Sequence, residues 1–338
     1  MTNAFVDDLS NFVSTLEGFK SASFQWISLA LSLPGFDENV IFFGFEARQL
    51  YPTLVAKTPR LPQNREALQT EYDRLTELWL LLGDEAEYCL QKAIALTMIQ
   101  NQPVLITAFL QGKNLSRVFR KSFRSSSEDL LALAVETGQT LRRIVDRTAT
   151  RLEVGEEIRS EFPEMVAEYK RIYAPTHHEV QALDSLVSEV ERLALQGKCK
   201  ILIQGDFWHG NMLRSSQHGQ LMLMDWQYAR WSKDVSLDLY MFLLAGALAA
   251  VPKRFIDGPA ESKAQAAIAV LHAWNKRLIP AYLHAFGQPQ QYVKLPLRAG
   301  MLACCVENAV RVSLDRNSDK PRDLIWKFMF SGLLDWHN

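Results

Sequence analysis

The sequence predicts an α+β fold of two lobes, with a small antiparallel sheet in residues 1–111 and a larger, mainly helical lobe in residues 112–338. Its 338 residues provide enough material for about two domains of ordinary size. Short β-rich runs dominate the first third of the chain, whereas long amphipathic patterns of helical period fill most of the remainder. No internal repeat, low-complexity tract or sustained heptad pattern predicts a different architecture.

The first lobe begins with a predicted three-stranded sheet. Val40–Glu46 and Pro52–Lys57 are β-rich runs separated by a polar turn, which predicts a hairpin, and Trp26–Leu33 is a candidate for the strand before it. Residues 64–82 follow with leucines and aromatic residues at helical spacing. A further β-rich run, Val104–Leu110, ends where we place the lobe boundary.

The second lobe is predicted to be mainly helical. Its longest apolar run is too short for the ~20 residues that cross a bilayer, and it predicts a buried helix. The stretches with helical patterns are 126–195, 239–251, 262–286 and 295–314.

Two short apolar strands in this lobe are each followed by polar residues that suit phosphoryl transfer. Ile201–Ile203 leads into a loop in which Asp206 and Asn211 are five residues apart, and Asp225 ends the run LMLMD fourteen residues later. Phosphoryl transfer needs a carboxylate on the attacking hydroxyl and oxygen ligands for the magnesium that neutralises the phosphates. An Asp-x-x-x-x-Asn pattern alone is common in turns and caps. The second aspartate, in this order and at this spacing, predicts a kinase catalytic loop.

At the letters GDFWHGN and MDWQ the chain resembles the aminoglycoside phosphotransferase and choline kinase-like superfamily of small-molecule kinases. The resemblance covers the middle of the chain well and its two ends loosely. It implies a protein-kinase-like fold in which Asp206 is the catalytic base and Asn211 and Asp225 bind magnesium. It also implies that Asp238 braces the catalytic loop. Gln204 stands where relatives most often have histidine, a departure that concerns the rigidity of the loop more than the chemistry.

The same resemblance assigns nucleotide-binding residues in the first lobe. Lys57, at the end of the third predicted strand, would contact the α- and β-phosphates of ATP, with Glu71 as its partner and Glu66 as the alternative. A lysine that points from the strand end into solvent is the plainer interpretation of Lys57. Thr107 and Phe109 would line the adenine site.

The segment before Lys57 lacks the glycine loop of protein kinases. No G-x-G-x-x-G pattern precedes this lysine, which favours a small-molecule kinase. Ser32–Asn39 is the candidate nucleotide loop.

Several residues near the motif are candidates for binding the phosphate acceptor. A cage of aromatic rings could hold an ammonium group by cation–π attraction or cover an apolar or sugar face, and the rings could equally pack the interior. Glu307 could contact a cationic substrate or form a buried ion pair with an arginine such as Arg311. His209 is interpreted as structural rather than substrate-binding. The aromatic candidates are Phe207, Trp208, Trp226, Tyr228 and Trp231.

Composition and local sequence patterns indicate which partners and which cellular compartment to expect. The formal net charge is −1, so no general attraction to nucleic acid or to an anionic membrane is expected. The basic cluster Arg117–Arg124 is interpreted as a solvated helix face rather than a phosphate-binding surface, and a membrane-facing role or an acidic partner stays an alternative. Four cysteines show neither a disulfide framework nor metal spacing, and the N-terminus has no signal-peptide pattern. These features predict a soluble cytoplasmic protein; the oligomeric state stays open.

The sequence therefore predicts an enzyme that uses ATP and Mg²⁺ to phosphorylate a hydroxyl of a small molecule, such as an amino alcohol, an aminoglycoside, a sugar or a related compound. The alternative is a kinase-like protein that binds a ligand or partner without turnover. The presence of Asp206, Asn211 and Asp225 favours the enzyme, because a non-catalytic relative usually lacks one such residue.

Overall fold

The computed structural model of the chain describes residues 3–20, 22–29, 39–60, 64–116, 127–153, 156–252, 255, 258–287, 292–314 and 324–336. The helices are α1 Asn3–Thr15, α2 Arg65–Leu82, α3 Ala86–Cys89, α4 Ser127–Thr148, α5 Phe162–Tyr173, α6 His177–Gln196, α7 Ser236–Ala250, α8 Ala260–Asn275, α9 Leu278–Phe286, α10 Leu297–Leu314 and α11 Ile325–Leu334. The strands are β1 Phe24–Leu29, β2 Asn39–Glu46, β3 Leu54–Pro59, β4 Ala93–Ile99, β5 Gln102–Ala108, β6 Gly112–Asn114, β7 Thr150–Arg151, β8 Cys199–Ile203, β9 Met212–Ser215, β10 Leu221–Leu223 and β11 Arg230–Ser232.

The described residues form two compact units. The first contains residues 1–113 and 213–229, and the second contains residues 114–212 and 230–338. The first carries an antiparallel sheet and the second is mainly helical, which confirms the predicted α+β fold class. The lobe boundary between residues 111 and 112 stays a prediction.

The first unit is built on a five-stranded antiparallel sheet with strand order β1-β2-β3-β5-β4. The predicted hairpin is present, because β2 and β3 pair antiparallel, and β1 precedes it as expected. Strand β4 was not predicted from the sequence. It is joined to β5 through Gln100 and Asn101, which both adopt positive φ angles of 48° and 62°. Such two-residue turns are usually marked by glycine, and its absence here hides the hairpin.

Strand β3 and helix α2 place the charged residues of the first unit. In β3, Lys57 is opposite Ile41 on one side and Leu105 on the other, so it lies in the middle of the sheet. The buried residues of α2 recur every three or four positions and form one helix face. Glu71 is one of them, so its carboxylate is on the buried face although it is charged. The buried residues of α2 are Leu68, Glu71, Leu75, Leu78 and Leu82.

In the second unit, α7 is buried along nearly its whole length, as predicted for residues 239–251. Within the described residues, no helix combines the length and hydrophobicity needed to span a bilayer. A small sheet with strand order β11-β8-β7 carries the predicted catalytic loop at the end of β8.

Candidate active site

An ion cluster, here called the Lys57 cluster, joins the largely buried Lys57 and Glu71 to the partly exposed Asp225 in the first unit. The ammonium of Lys57 donates to Oε1 of Glu71 at 2.7 Å and to Oδ1 of Asp225 at 3.4 Å. The Lys57 side chain is 11% exposed and that of Glu71 is fully buried, whereas Glu66 is exposed. The pairing with Glu71 is therefore present in the structure, and Lys57 does not point into solvent. Its role toward a nucleotide stays a prediction.

Electrostatics keep the lysine of this cluster charged. Burial lowers the pKa of Lys57, but the carboxylates of Asp225 and Glu71 raise it by more, so the pKa lies above its ordinary value. Burial also raises the pKa of Glu71, and the charge of Lys57 opposes that rise. A permanently charged ammonium held between two carboxylates is suited to binding phosphate oxygens.

The backbone at Asp225 is unusual. This residue follows the fully buried strand β10 and has a φ of 64°, in the left-handed region that a non-glycine residue rarely adopts. Its side chain is about one-third exposed. Strained backbone conformations concentrate at functional sites, so the observed conformation supports a functional role for this carboxylate.

The Lys57→Met variant is expected to lower the free energy of unfolding by about 3–5 kcal/mol, because it leaves Glu71 as an uncompensated buried charge. Urea unfolding of the variant measures this loss. In the matched double variant Lys57→Met/Glu71→Gln the charge is absent, so most of the lost stability should return. Equal destabilisation of the single and double variants would contradict the pairing.

Thr107 and Phe109, the predicted adenine-site residues, differ in what they can offer a ligand. The hydroxyl of Thr107 is fully buried and accepts a hydrogen bond from Nε2 of Gln91 at 2.8 Å. The main-chain N–H of Phe109 donates to the carbonyl of Thr53 at 2.9 Å, and its ring packs edge-on against Phe43. Because Phe109 is half-buried and Thr107 is fully buried, Phe109 exposes more surface that a ligand could contact. Both assignments stay predictions.

A second group of residues surrounds the predicted catalytic base in the second unit. Oδ2 of Asp206 accepts hydrogen bonds from Nδ2 of Asn211 at 2.8 Å and from the indole N–H of Trp208 at 3.0 Å. The same Asn211 nitrogen donates to the main-chain oxygen of Asp206 at 3.0 Å. Because the nitrogen makes both of these bonds, the amide oxygen is the atom that Asn211 can offer to a metal ion. Amide and carboxylate oxygens are hard donors of the kind magnesium prefers, and the assignment of Asn211 and Asp225 as its ligands stays a prediction.

Gly210 is required by the packing of this loop. A Cβ atom at this position would lie 2.4 Å from the ring of Trp208. The absence of a side chain lets the indole lie close to the loop, where its N–H reaches Asp206. The close approach explains why the loop has glycine before Asn211.

Helix α7 supports the predicted catalytic loop through two hydrogen bonds. The main-chain N–H groups of Gln204 and Gly205 donate to the two carboxylate oxygens of Asp238 at 2.7 Å and 2.8 Å. This is the bracing that the resemblance implied for Asp238. Since the bond at position 204 uses the main chain, replacement of the usual histidine by glutamine leaves it intact.

Asp238→Asn is expected to remove a pH-dependent component of folding stability. Burial raises the pKa of Asp238 from its ordinary 3.8 to about 7, although the two N–H donors and Arg230 oppose the rise. Between these values the folded chain binds the extra proton, so the contribution of this group to stability falls as the pH rises through that window. In urea unfolding at several pH values in the window, the advantage of wild type over the variant should shrink with rising pH. A constant difference would contradict the raised pKa.

The candidate acceptor residues are mostly engaged within the protein. Phe207 and Trp226 are buried and belong to the interior, while Trp231 is half-buried with Nζ of Lys200 5.3 Å from its ring centre. His209 is buried and packs edge-on against Trp208. The buried carboxylate of Glu307 accepts a hydrogen bond from Arg230 at 2.6 Å. The expected ion pair is therefore present, with Arg230 rather than Arg311.

Two sequence predictions lie outside the described residues. These are the basic cluster Arg117–Arg124 and the nucleotide loop Ser32–Asn39, of which the structure describes Asn39 alone.

Sequence reasoning did not connect Arg311 to the catalytic loop. Its guanidinium donates to Oδ1 of Asp206 at 2.6 Å and to the carbonyl of Gly205 at 2.9 Å. Arg311 and Asp206 are separated by 105 residues in the sequence. The available signal was a charge in the apolar stretch of α10, which does not identify a partner.

Part of the chain is similar in sequence to a known protein family. The sequence model of the ecdysteroid kinase-like family matches residues 91–253, which include Asp206, Asn211, Asp225 and Asp238. No curated protein sequence matches the chain.

A solved structure shares the fold at low sequence identity. The aminoglycoside phosphotransferase APH(3'')-Id from Streptomyces rimosus is 14% identical, with a TM-score of 0.52 over 90% of this chain and 98% of that chain. A second structure of that enzyme, in complex with ADP and streptomycin, is 15% identical, with a TM-score of 0.45 over 83% of this chain and 99% of that chain. The family match and the shared fold confirm the predicted resemblance of the chain to the aminoglycoside phosphotransferase and choline kinase-like superfamily.

Proposed function

We propose that the protein is an ATP-dependent phosphotransferase that transfers the γ-phosphate of ATP to a hydroxyl group of a small molecule. The observation that carries the proposal is the Lys57 cluster. Removing a lysine and a glutamate from water is unfavourable, and apolar residues of similar volume would often serve folding as well. A buried lysine–glutamate pair whose lysine also contacts Asp225, a residue with a left-handed backbone, is better explained by phosphate binding.

In this proposal each candidate residue has a defined role. Lys57 binds phosphate oxygens of ATP, and Glu71 holds the ammonium in place. Asn211 and Asp225 are the residues that would bind magnesium, which when bound supplies positive charge to the phosphates. Thr107 and Phe109 remain the proposed adenine-site residues.

Asp206 would act on the acceptor alcohol. The hydroxyl oxygen forms a bond to the γ-phosphorus, the bond between that phosphorus and the bridging oxygen of ADP breaks, and the hydroxyl proton passes to the Asp206 carboxylate. Hydrogen bonds from Asn211 and Trp208 hold the carboxylate on one side, so its position is defined before the acceptor binds. Such preorganisation is the main contribution a protein makes to phosphoryl transfer.

We further propose that the acceptor is uncharged, as in a sugar or a lipid-like alcohol, rather than an amino alcohol or an aminoglycoside. Carboxylates whose charge is not already compensated would favour a cationic acceptor. Glu307 is paired with Arg230, and Asp206 is paired with Arg311. An ammonium close to the reacting hydroxyl would also be repelled by Arg311.

The test is the thermal unfolding midpoint of the purified protein with ATP, in the presence and absence of magnesium, and then with acceptors added. Specific binding to the folded state must raise the midpoint. We expect a magnesium-dependent increase with ATP. Choline and its uncharged isostere 3,3-dimethylbutan-1-ol form a matched pair of acceptor probes, alongside simple sugars. No increase with ATP would sink the proposed function, and a preference for choline over its isostere would sink the uncharged acceptor.

A further inference from the structure

Arg311, on helix α10, donates hydrogen bonds to two sites on the catalytic loop. Nη2 of Arg311 donates to Oδ1 of Asp206 and Nη1 donates to the carbonyl of the preceding residue, Gly205. The guanidinium of Arg311 therefore binds both the side chain of the proposed base and the main chain next to it. A guanidinium can make both bonds because its donors are fixed in one plane, whereas an ammonium acts as a point charge.

The guanidinium of Arg311 also makes a hydrogen bond within its own helix. Nη2 of Arg311 donates to the amide oxygen of Asn308, one turn earlier on α10. Asn308 is buried and donates through Nδ2 to the carbonyl of Cys304 at 2.8 Å. The chain of contacts fixes the guanidinium through α10, independently of the loop.

The two oxygens of Asp206 are supported from different parts of the chain. Trp208 and Asn211 hold Oδ2, and both belong to the same loop as Asp206. Of the hydrogen bonds described for Oδ1, Arg311 supplies the one from outside the loop. Without it, the carboxylate could rotate together with the loop residues that bind it.

We propose that Arg311 is a positioning residue for the reaction, which sets the orientation of the Asp206 carboxylate toward the acceptor hydroxyl. The inference rests on the proposed function, because it assigns Asp206 as the base. It differs from a purely structural ion pair in one consequence: loss of Arg311 lowers the rate of the chemical step and leaves ATP binding unchanged. Displacement of a reacting group by about 1 Å can reduce a rate by about 10²-fold.

The test compares Arg311→Ala, Arg311→Lys and the control Arg298→Ala. Arg298 lies on the same helix and also donates to main-chain carbonyls, those of Leu333 and Leu334, without contacting the catalytic loop. The probe is MgATP with water as the phosphate acceptor, and the readouts are kcat and KM for ATP hydrolysis. We expect Arg311→Ala to lower kcat by about 10²-fold at unchanged KM, Arg311→Lys to lie between it and wild type, and Arg298→Ala to keep the wild-type kcat.

Chemical rescue separates positioning from general loss of structure. Guanidinium ions, added below denaturing concentrations, should restore part of the kcat of Arg311→Ala and none of that of Asp206→Asn. An unchanged kcat in Arg311→Ala, or a loss that guanidinium does not restore, would overturn the inference.

A crystal structure of Arg311→Ala or Arg311→Lys keeps this inference distinguishable from the proposed function. If wild type neither binds nor hydrolyses ATP, the proposed function fails, and the orientation of Asp206 can still be compared. We expect the carboxylate to turn away from its wild-type position in Arg311→Ala. An unmoved carboxylate would overturn the positioning role whatever the activity.

Discussion

Replacing Asp206 with asparagine is expected to reduce phosphate transfer by about 10²- to 10⁴-fold while leaving ATP binding intact. Asparagine keeps the size of the side chain but cannot take the proton of the acceptor hydroxyl. Its NH₂ group would also face one of the donors that now bind the carboxylate, from Arg311 or from Asn211 and Trp208. Both effects act on the chemical step, and the proposed phosphate-binding residue Lys57 is untouched.

Steady-state rates and calorimetric titration with MgATP measure the two sides of this prediction. Asp184→Asn is a suitable control, because Asp184 is an exposed helix residue whose ion pair with Lys170 lies outside the catalytic loop. The control should keep both the rate and the affinity of wild type. Unchanged turnover in Asp206→Asn would remove Asp206 from the role of base.

Replacing Asp225 with alanine is expected to abolish the magnesium dependence of ATP binding. The carboxylate is the proposed metal-binding group of the Lys57 cluster, and magnesium relies on few protein ligands besides phosphate oxygens and water. The folded state should persist, because Lys57 keeps its shorter contact to Glu71 after the change. This distinguishes the variant from Lys57→Met, which leaves a buried charge unpaired.

Calorimetric titration with ATP, with and without magnesium, checks this prediction. Wild type should bind more tightly with the ion present, and Asp225→Ala should show one weak affinity under both conditions. Glu66→Gln is the matched control, because Glu66 is an exposed carboxylate on the same helix as Glu71. If magnesium still strengthened ATP binding to Asp225→Ala, the metal assignment would be wrong.

Local patterns in the sequence were sufficient for much of the fold. The β2–β3 hairpin and helix α2 follow from alternation, turn residues and helical spacing, all of which act over a few neighbouring residues. Strand β4 was missed because its turn to β5 uses Gln100 and Asn101 instead of glycine. Predictions of this kind fail where a residue adopts a conformation that its side chain does not usually favour.

In the candidate site too, local contacts could be predicted from the sequence, whereas contacts between distant elements could not. The resemblance to small-molecule kinases, applied to consecutive elements, predicted the pairing of Lys57 with Glu71. The partners of Glu307 and Arg311 depend on how α10 packs, and the sequence offered Arg311 as the example partner for Glu307. The structure instead pairs Glu307 with Arg230 and Arg311 with Asp206. Spacing along one helix cannot distinguish such alternatives.

The most direct test of phosphotransferase activity is to follow the γ-phosphate itself. ATP labelled at the γ-position is incubated with the protein, magnesium and a mixture of uncharged small alcohols and sugars, and the label is traced by chromatography. We expect that wild type transfers the label to one of these compounds and that Asp206→Asn does not. Label that stays in ATP in the presence of wild type, although ATP binds, would contradict the phosphotransferase and favour a kinase-like binding protein.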